Sequence, residues 1–268
     1  MKRPIGIFDS GVGGLTVFKA IRNQFPQEDI VYFGDTARVP YGPKSPKTII
    51  DYSIQNARFL LQQNIKILVV ACNTSSAVAI PALEEITDIP IIGVIQPGAE
   101  QSVLTTRNKR IGVIGTEGTV RSNAYSIAIK QLEPKAEVFS TPCPLFVPLA
   151  EEGWQDHSSA HLIAQEYLSF FTNLDIDTLV LGCTHYPLLK KTIQTAIGEE
   201  VRLVDSAEAI TMYLQRYLPD DGNESVGNSC FYVSDSEEKF YQIAKRILDK
   251  EPAFLKTVRL YESWFIGK

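Results

Sequence analysis

Four cysteines stand at positions 72, 143, 183 and 230 of the 268-residue chain. No two are spaced as C-x-x-C, the spacing of zinc sites and dithiol redox centres, so they read as free thiols. Two of them share a setting. Cys72 ends the apolar run Lys66–Ala71 and is followed by Asn73-Thr74 and a helix candidate, Ser75 to Ile86. Cys183 ends Asp177–Gly182 and is followed by Thr184-His185 and a helix candidate, Leu188 to Ile197. A thiol between strand and helix in an α/β sheet stands at the edge where ligands bind. A helix N-terminus is expected to draw its pKa from the ordinary ~8.5 toward neutrality. One free cysteine is most often an inert core residue. Two in matching places suit inversion of a stereocentre, in which one thiol takes a proton from carbon while the other delivers one to the opposite face.

Other polar residues gather around the same theme. Asp9-Ser10-Gly11-Val12-Gly13-Gly14 fails the G-x-G-x-x-G test because Thr16 replaces the third glycine. A Gly-rich turn there still lets backbone amides approach a carboxylate, and Asp9 is free to pair with an ammonium or act on a thiol. Gly42-Pro43-Lys44-Ser45 lacks the upstream glycine of a phosphate loop, and Arg38–Gly42 has turn chemistry. His157 and His161 are spaced i, i+4 without the Glu of H-E-x-x-H and read as a solvated helix face, so no metal is expected. His185, two residues after Cys183, is placed to tune that thiol. Cys143, between two prolines, reads as a loop thiol and Cys230 as a strand core thiol.

The elements that must position these residues follow an α/β pattern. Short β-branched runs at Pro4–Phe8, Ile30–Phe33, Lys66–Ala71, Pro90–Ile95, Arg110–Ile114, Thr178–Leu181 and Val201–Val204 alternate with helical-period segments such as Ile49 to Leu61. That alternation predicts mostly parallel sheets. Ile5–Ser10 resembles Ile111–Thr116, and Lys66–Thr74 resembles Asp177–His185, in the same order. Two pseudo-symmetric α/β lobes with a cleft between them are therefore expected: residues 1–97 with 208–268, and 98–207. The tail from Phe254 carries Tyr261, Trp264 and Phe265, aromatic area expected to dock on the protein or on a second subunit.

Composition excludes other classes. At 44% apolar the chain can bury a sizeable core, and 26 Lys+Arg against 31 Asp+Glu give a net charge of −5, with no basic cluster for nucleic acid or an anionic membrane. Asp9 interrupts the N-terminus before a signal peptide can form, and the longest apolar runs fall short of the roughly 18 residues of a membrane span. A soluble protein is expected.

The motifs together resemble those of the glutamate racemases in the cofactor-independent aspartate/glutamate racemase superfamily. The resemblance covers nearly the whole chain and rests on Asp9–Gly14, Val39-Pro40-Tyr41-Gly42, Ala71–Thr74, Pro148–Gly153, Gly182–Pro187 and Ser234–Phe240. It implies that Cys72 and Cys183 are the two proton donor/acceptors, with Asp9 assisting Cys72 and with His185 and Glu151 assisting Cys183. It further implies that Asp9, Ser10, Pro40, Tyr41, Gly42, Asn73, Thr74, Thr184 and His185 contact substrate, joined from the second lobe by Thr116 and Thr119. The implied reaction interconverts L- and D-glutamate in the cytoplasm without pyridoxal phosphate or any other cofactor, supplying D-glutamate for peptidoglycan. A homodimer is a possible assembly. Some family members carry an N-terminal extension linked to activation by a cell-wall precursor; Asp9 lies too near the start for one, so no such activation is expected. Two rivals stand beside this reading. One is racemisation of aspartate or a hydantoin; the other is a non-catalytic role, binding an acidic ligand or a protein partner.

Overall fold

Runs such as Ile67–Val70 and Thr178–Leu181 are apolar at successive positions, as strands covered on both faces require. The computed structural model, which describes residues 3–218 and 225–260, places them at the centres of two sheets. In chain order the strands are β1 Ile5–Asp9, β2 Ile30–Gly34, β3 Ile67–Val70, β4 Ile91–Gly93, β5 Arg110–Gly115, β6 Glu137–Pro142, β7 Thr178–Gly182, β8 Arg202–Asp205, β9 Ser229–Val233 and β10 Leu255–Thr257. One sheet has the order β10-β9-β2-β1-β3-β4 and the other β6-β5-β7-β8. Every pairing is parallel.

The internal repeat extends further than its sequence trace. The order β2-β1-β3-β4 recurs as β6-β5-β7-β8, so the two strands that lead into the thiols, β3 and β7, occupy equivalent places. Strand β6 has no counterpart among the strands expected from sequence. It lies at a sheet edge, carries Glu137, Ser140 and Thr141, and ends at Pro142, a composition that an edge tolerates and a central strand does not. The C-terminal strands β9 and β10 extend the first sheet, with Phe231 tucked 4.8 Å from Phe18, centroid to centroid. Burial of each such ring is worth about 1.5–3 kcal/mol. Tyr261, Trp264 and Phe265 lie outside the described residues.

Two crossings join the sheets. The first, expected near Gln96-Pro97, falls inside helix Ile95–Thr105, whose Ile95 and Ala99 pack with Val113 and Val180 of the second sheet. The second comes at Asp205, whose carboxylate caps helix Ser206–Leu214 by accepting from the Ala207 amide at 2.8 Å. That helix returns Ala207, Ile210 and Leu214 to the core of the first sheet.

Both helices expected after the thiols are broken. The first divides into Asn73–Ser76 and Ile80–Glu84, because Pro81 cannot donate within a continuing helix and because Ser76 Oγ turns back to Val70 O at 2.7 Å. The second begins as a 3-10 turn, Tyr186–Leu189, containing Pro187, and continues as helix Lys190–Ile197.

Candidate active site

The loop after β1 brings a carboxylate into the interior. Asp9 is fully buried; its Oδ2 accepts from the Gly11 amide at 2.9 Å and its Oδ1 from the Thr184 hydroxyl of the other lobe at 3.3 Å. Burial raises its pKa above the usual carboxylate range, and the facing His185 opposes that rise.

Cys72 occupies the cap position of helix Asn73–Ser76. Its thiol is not drawn toward neutrality as the sequence suggests. Burial and the nearby Asp9 push it up to about 11, against hydrogen bonds from Ser75 and Ser10 that favour the thiolate. A single helical turn supplies too little dipole to offset complete desolvation.

The second thiol has a different environment. Cys183 Sγ lies 3.8 Å from His185 Nδ1, and His185 Nε2 lies 3.2 Å from Glu151 Oε1. Glu151 Oε2 is in turn 3.3 Å from Lys239 Nζ. Burial alone would lower the imidazole pKa, yet the hydrogen bonds to Cys183 and Glu151 outweigh it and carry His185 up to about 10. Burial likewise works to raise Glu151, and its bonds with His185 and Lys239 prevail to hold it below the usual carboxylate range. The pair is thus imidazolium and carboxylate at neutral pH.

Both thiols open into one cavity of about 300 Å³ between the lobes. From the first lobe it is lined by Ser10, Val39, Pro40, Tyr41, Gly42, Cys72, Asn73 and Thr74, and from the second by Thr116, Val147, Pro148, Glu151, Cys183, Thr184 and His185. Two of the residues expected at the site stand behind this wall. Asp9 lies beneath Thr184, and Thr119 sits 3.1 Å from Thr116, hydroxyl to hydroxyl. Tyr41 lines the cavity by its ring and backbone, because its hydroxyl is bonded to Asp35 and accepts from Asn56 Nδ2 at 3.1 Å. Val39 and Val147 line the cavity without having been anticipated as contacts, since aliphatic residues carry no chemical signature in sequence.

Several polar contacts close the cleft. Thr74 and Thr116 hydroxyls meet at 2.9 Å across the lobes. Thr16, the residue that spoils the phosphate-loop pattern, lies with its hydroxyl 2.9 Å from Thr184 O. Gly13 is required beside it: a Cβ there would stand 2.5 Å from Thr184 Oγ1 and against the His185 ring.

The remaining candidates lie elsewhere. His157 is the cap of helix Ser158–Leu168, its Nδ1 accepting from the Ser159 amide at 3.1 Å, and only His161 lies within the helix, which corrects the expectation of two histidines on one helix face. Among the described residues no three His, Cys, Asp or Glu side chains form a metal-binding group. Cys143 lies, as expected, on a loop, between β6 and helix Phe146–Glu152, where it is fully buried in the second-lobe core and burial pushes its pKa far up. Cys230, expected in a strand core, is on β9 and only half-buried.

Residues 5–214 match the Asp/Glu/Hydantoin racemase family model. A glutamate racemase of Geobacter metallireducens is 55% identical, the aligned stretch covering 92% of this chain and 93% of that protein. The crystal structure of glutamate racemase from Francisella tularensis in complex with D-glutamate superposes with a TM-score of 0.90 at 41% identity, covering 97% of this chain and 98% of that one. A glutamate racemase isoform from Bacillus anthracis superposes with a TM-score of 0.92 at 40% identity, covering 96% and 98%.

Proposed function

The chain belongs to the Asp/Glu/Hydantoin racemase family, and from that premise we infer that it interconverts L- and D-glutamate by proton transfer at Cα between two thiols, without a cofactor. The observation that carries the mechanism is the placing of Cys72 and Cys183 on equivalent strand ends of two lobes, lining one cavity.

The thiols are unequal. Cys72 is protonated at neutral pH and ready to donate, whereas Cys183 Sγ lies within reach of the His185 ring that Glu151 holds. We assign Cys183, helped by His185 and Glu151, as the base in one direction and Cys72, beside Asp9, as the acid. The reverse direction requires the complementary protonation, a difference of one proton between the thiols. Asp9, behind the cavity wall, is assigned to assist Cys72 through its charge, which raises the thiol.

An amino-acid Cα–H is a very weak acid, so donors must be fixed where negative charge develops on the carboxylate; one such donor contributes about 3 kcal/mol. Asn73, Thr74, Thr184 and Ser10 are placed for this, with Pro40, Tyr41 and Gly42 forming the apolar and backbone wall, and Thr119 supporting Thr116. We take the lobes as 1–97 with 208–268, and 98–207, on the grounds of their sheets and cores. Among the described residues no helix is long and apolar enough to cross a membrane. A cytoplasmic enzyme feeding D-glutamate to peptidoglycan synthesis and making no direct nucleic-acid contact completes the proposal.

The test is polarimetry without pyridoxal phosphate on L- and D-glutamate, aspartate and a hydantoin. Loss of rotation with both glutamate enantiomers supports the assignment; turnover of aspartate or a hydantoin alone overturns it.

A further inference from the structure

One residue lining the cavity carries a buried donor with no partner among the described residues. Four buried side-chain polar atoms lack a partner among the described residues, and only Asn73 Nδ2 belongs to a residue lining the cavity. The other end of that amide is fixed: Asn73 Oδ1 accepts from Tyr125 Oη at 2.7 Å. Tyr125 belongs to helix Ala124–Leu132 of the second lobe, so this bond reaches across the cleft to the residue next to Cys72.

Space for the tyrosine is made on two sides. A Cβ on Gly98 would come within 3.1 Å of the Tyr125 hydroxyl, and one on Gly182 within 3.0 Å of its ring. The ring is buried with only 2% exposure. An amide presents a donor at one end and an acceptor at the other. With Oδ1 engaged by a hydroxyl donor, the NH₂ group is the end left for a ligand. Rotated the other way, the amide would set its oxygen against an incoming carboxylate and repel it.

We propose that Tyr125 is a positioning residue that locks the Asn73 amide with its NH₂ toward the cavity, so that the second lobe aims a first-lobe donor at a substrate carboxylate. This rests on the reading that glutamate binds here.

The experiment measures KM and kcat for both glutamate enantiomers in wild type, Tyr125→Phe, Asn73→Ala and the double variant. The expected result is a rise in KM of about tenfold in Tyr125→Phe, the size of effect of a hydrogen bond to a charged group, with kcat changed less than KM. In the Asn73→Ala background the same replacement adds less than about twofold, because its target is gone. An unchanged KM in Tyr125→Phe, or an equal rise in the Asn73→Ala background, overturns the proposal. A wild type that inverts neither enantiomer instead overturns the glutamate reading. Should Tyr125→Phe fail to fold, Tyr125→His is measured in its place, alone and with Asn73→Ala; a KM raised about tenfold alone and less than about twofold in the Asn73→Ala background supports the proposal, and an equal rise in both backgrounds or wild-type KM overturns it.

Discussion

At the scale of single residues the site is organised by burial opposed by specific partners. Cys72, held near 11, should react slowly with iodoacetamide at neutral pH. The thiolate is the nucleophile, so its alkylation, followed by mass spectrometry of the Cys72 peptide in a Cys183→Ala variant, is expected to speed about tenfold per pH unit up to about pH 11. A plateau by pH 8 would show that the thiol is already ionised. The His185–Glu151 pair gives a second titration. His185 is raised from 6.5 to about 10, so its contribution to stability is full below pH 6.5 and is lost as pH rises toward 10. Glu151 is depressed from 4.5, so its contribution is present above pH 4.5 and is lost in acid. The fall in Tm caused by Glu151→Gln is therefore expected to be largest between about pH 5 and 6 and to shrink through pH 10. A fall that grows with pH would contradict this assignment of charges.

At the scale of elements, function depends on strand ends and the loops that leave them. Gly13 illustrates the constraint, since any side chain there meets Thr184 and His185 of the opposite lobe. Gly13→Ala is expected to lower kcat/KM at least about tenfold, equivalent to about 1.4 kcal/mol in the barrier, while each lobe keeps its own core. Wild-type kcat/KM in that variant would mean that the loops do not need to meet as closely. The strands that lead into Cys72 and Cys183 were legible in sequence because central parallel strands are apolar throughout and end abruptly in polar residues. Strand β6 was not, because an edge strand is free of that demand. The setting of the thiols and of His185 could be read from their place in the chain; Ser10, Asn73, Thr74 and Thr184, which line the same cavity, were expected through the family resemblance. The outward turn of the Tyr41 hydroxyl could not, because Asp35 and Asn56 meet it only through tertiary packing. Nor could the high pKa of Cys72, which arises from burial that no local pattern reports. Tyr125 left no chemical trace in sequence: it touches no substrate position and acts through another side chain.

At the scale of the molecule, both polar and apolar contacts join the lobes. Thr16 with Thr184, Thr74 with Thr116, and Arg121 Nη2 with Lys44 O at 3.1 Å are hydrogen bonds, while Leu188 packs against the first-sheet core and Ala77 against the second. A ligand held between the lobes adds contacts to both and binds only the folded chain. Glutamate is accordingly expected to raise Tm with concentration, by about 2.7 kcal/mol of stability at a hundred times its Kd. A Tm indifferent to glutamate would contradict binding in the cleft.

Two thiols on opposite lobes are assigned to exchange protons with Cα. The decisive experiment is proton NMR in D₂O, starting from each glutamate enantiomer with wild type, Cys72→Ala and Cys183→Ala. Wild type is expected to invert both enantiomers with deuterium entering at Cα, and either substitution to abolish inversion. Inversion at the wild-type rate by either single variant would rule out the two-thiol mechanism.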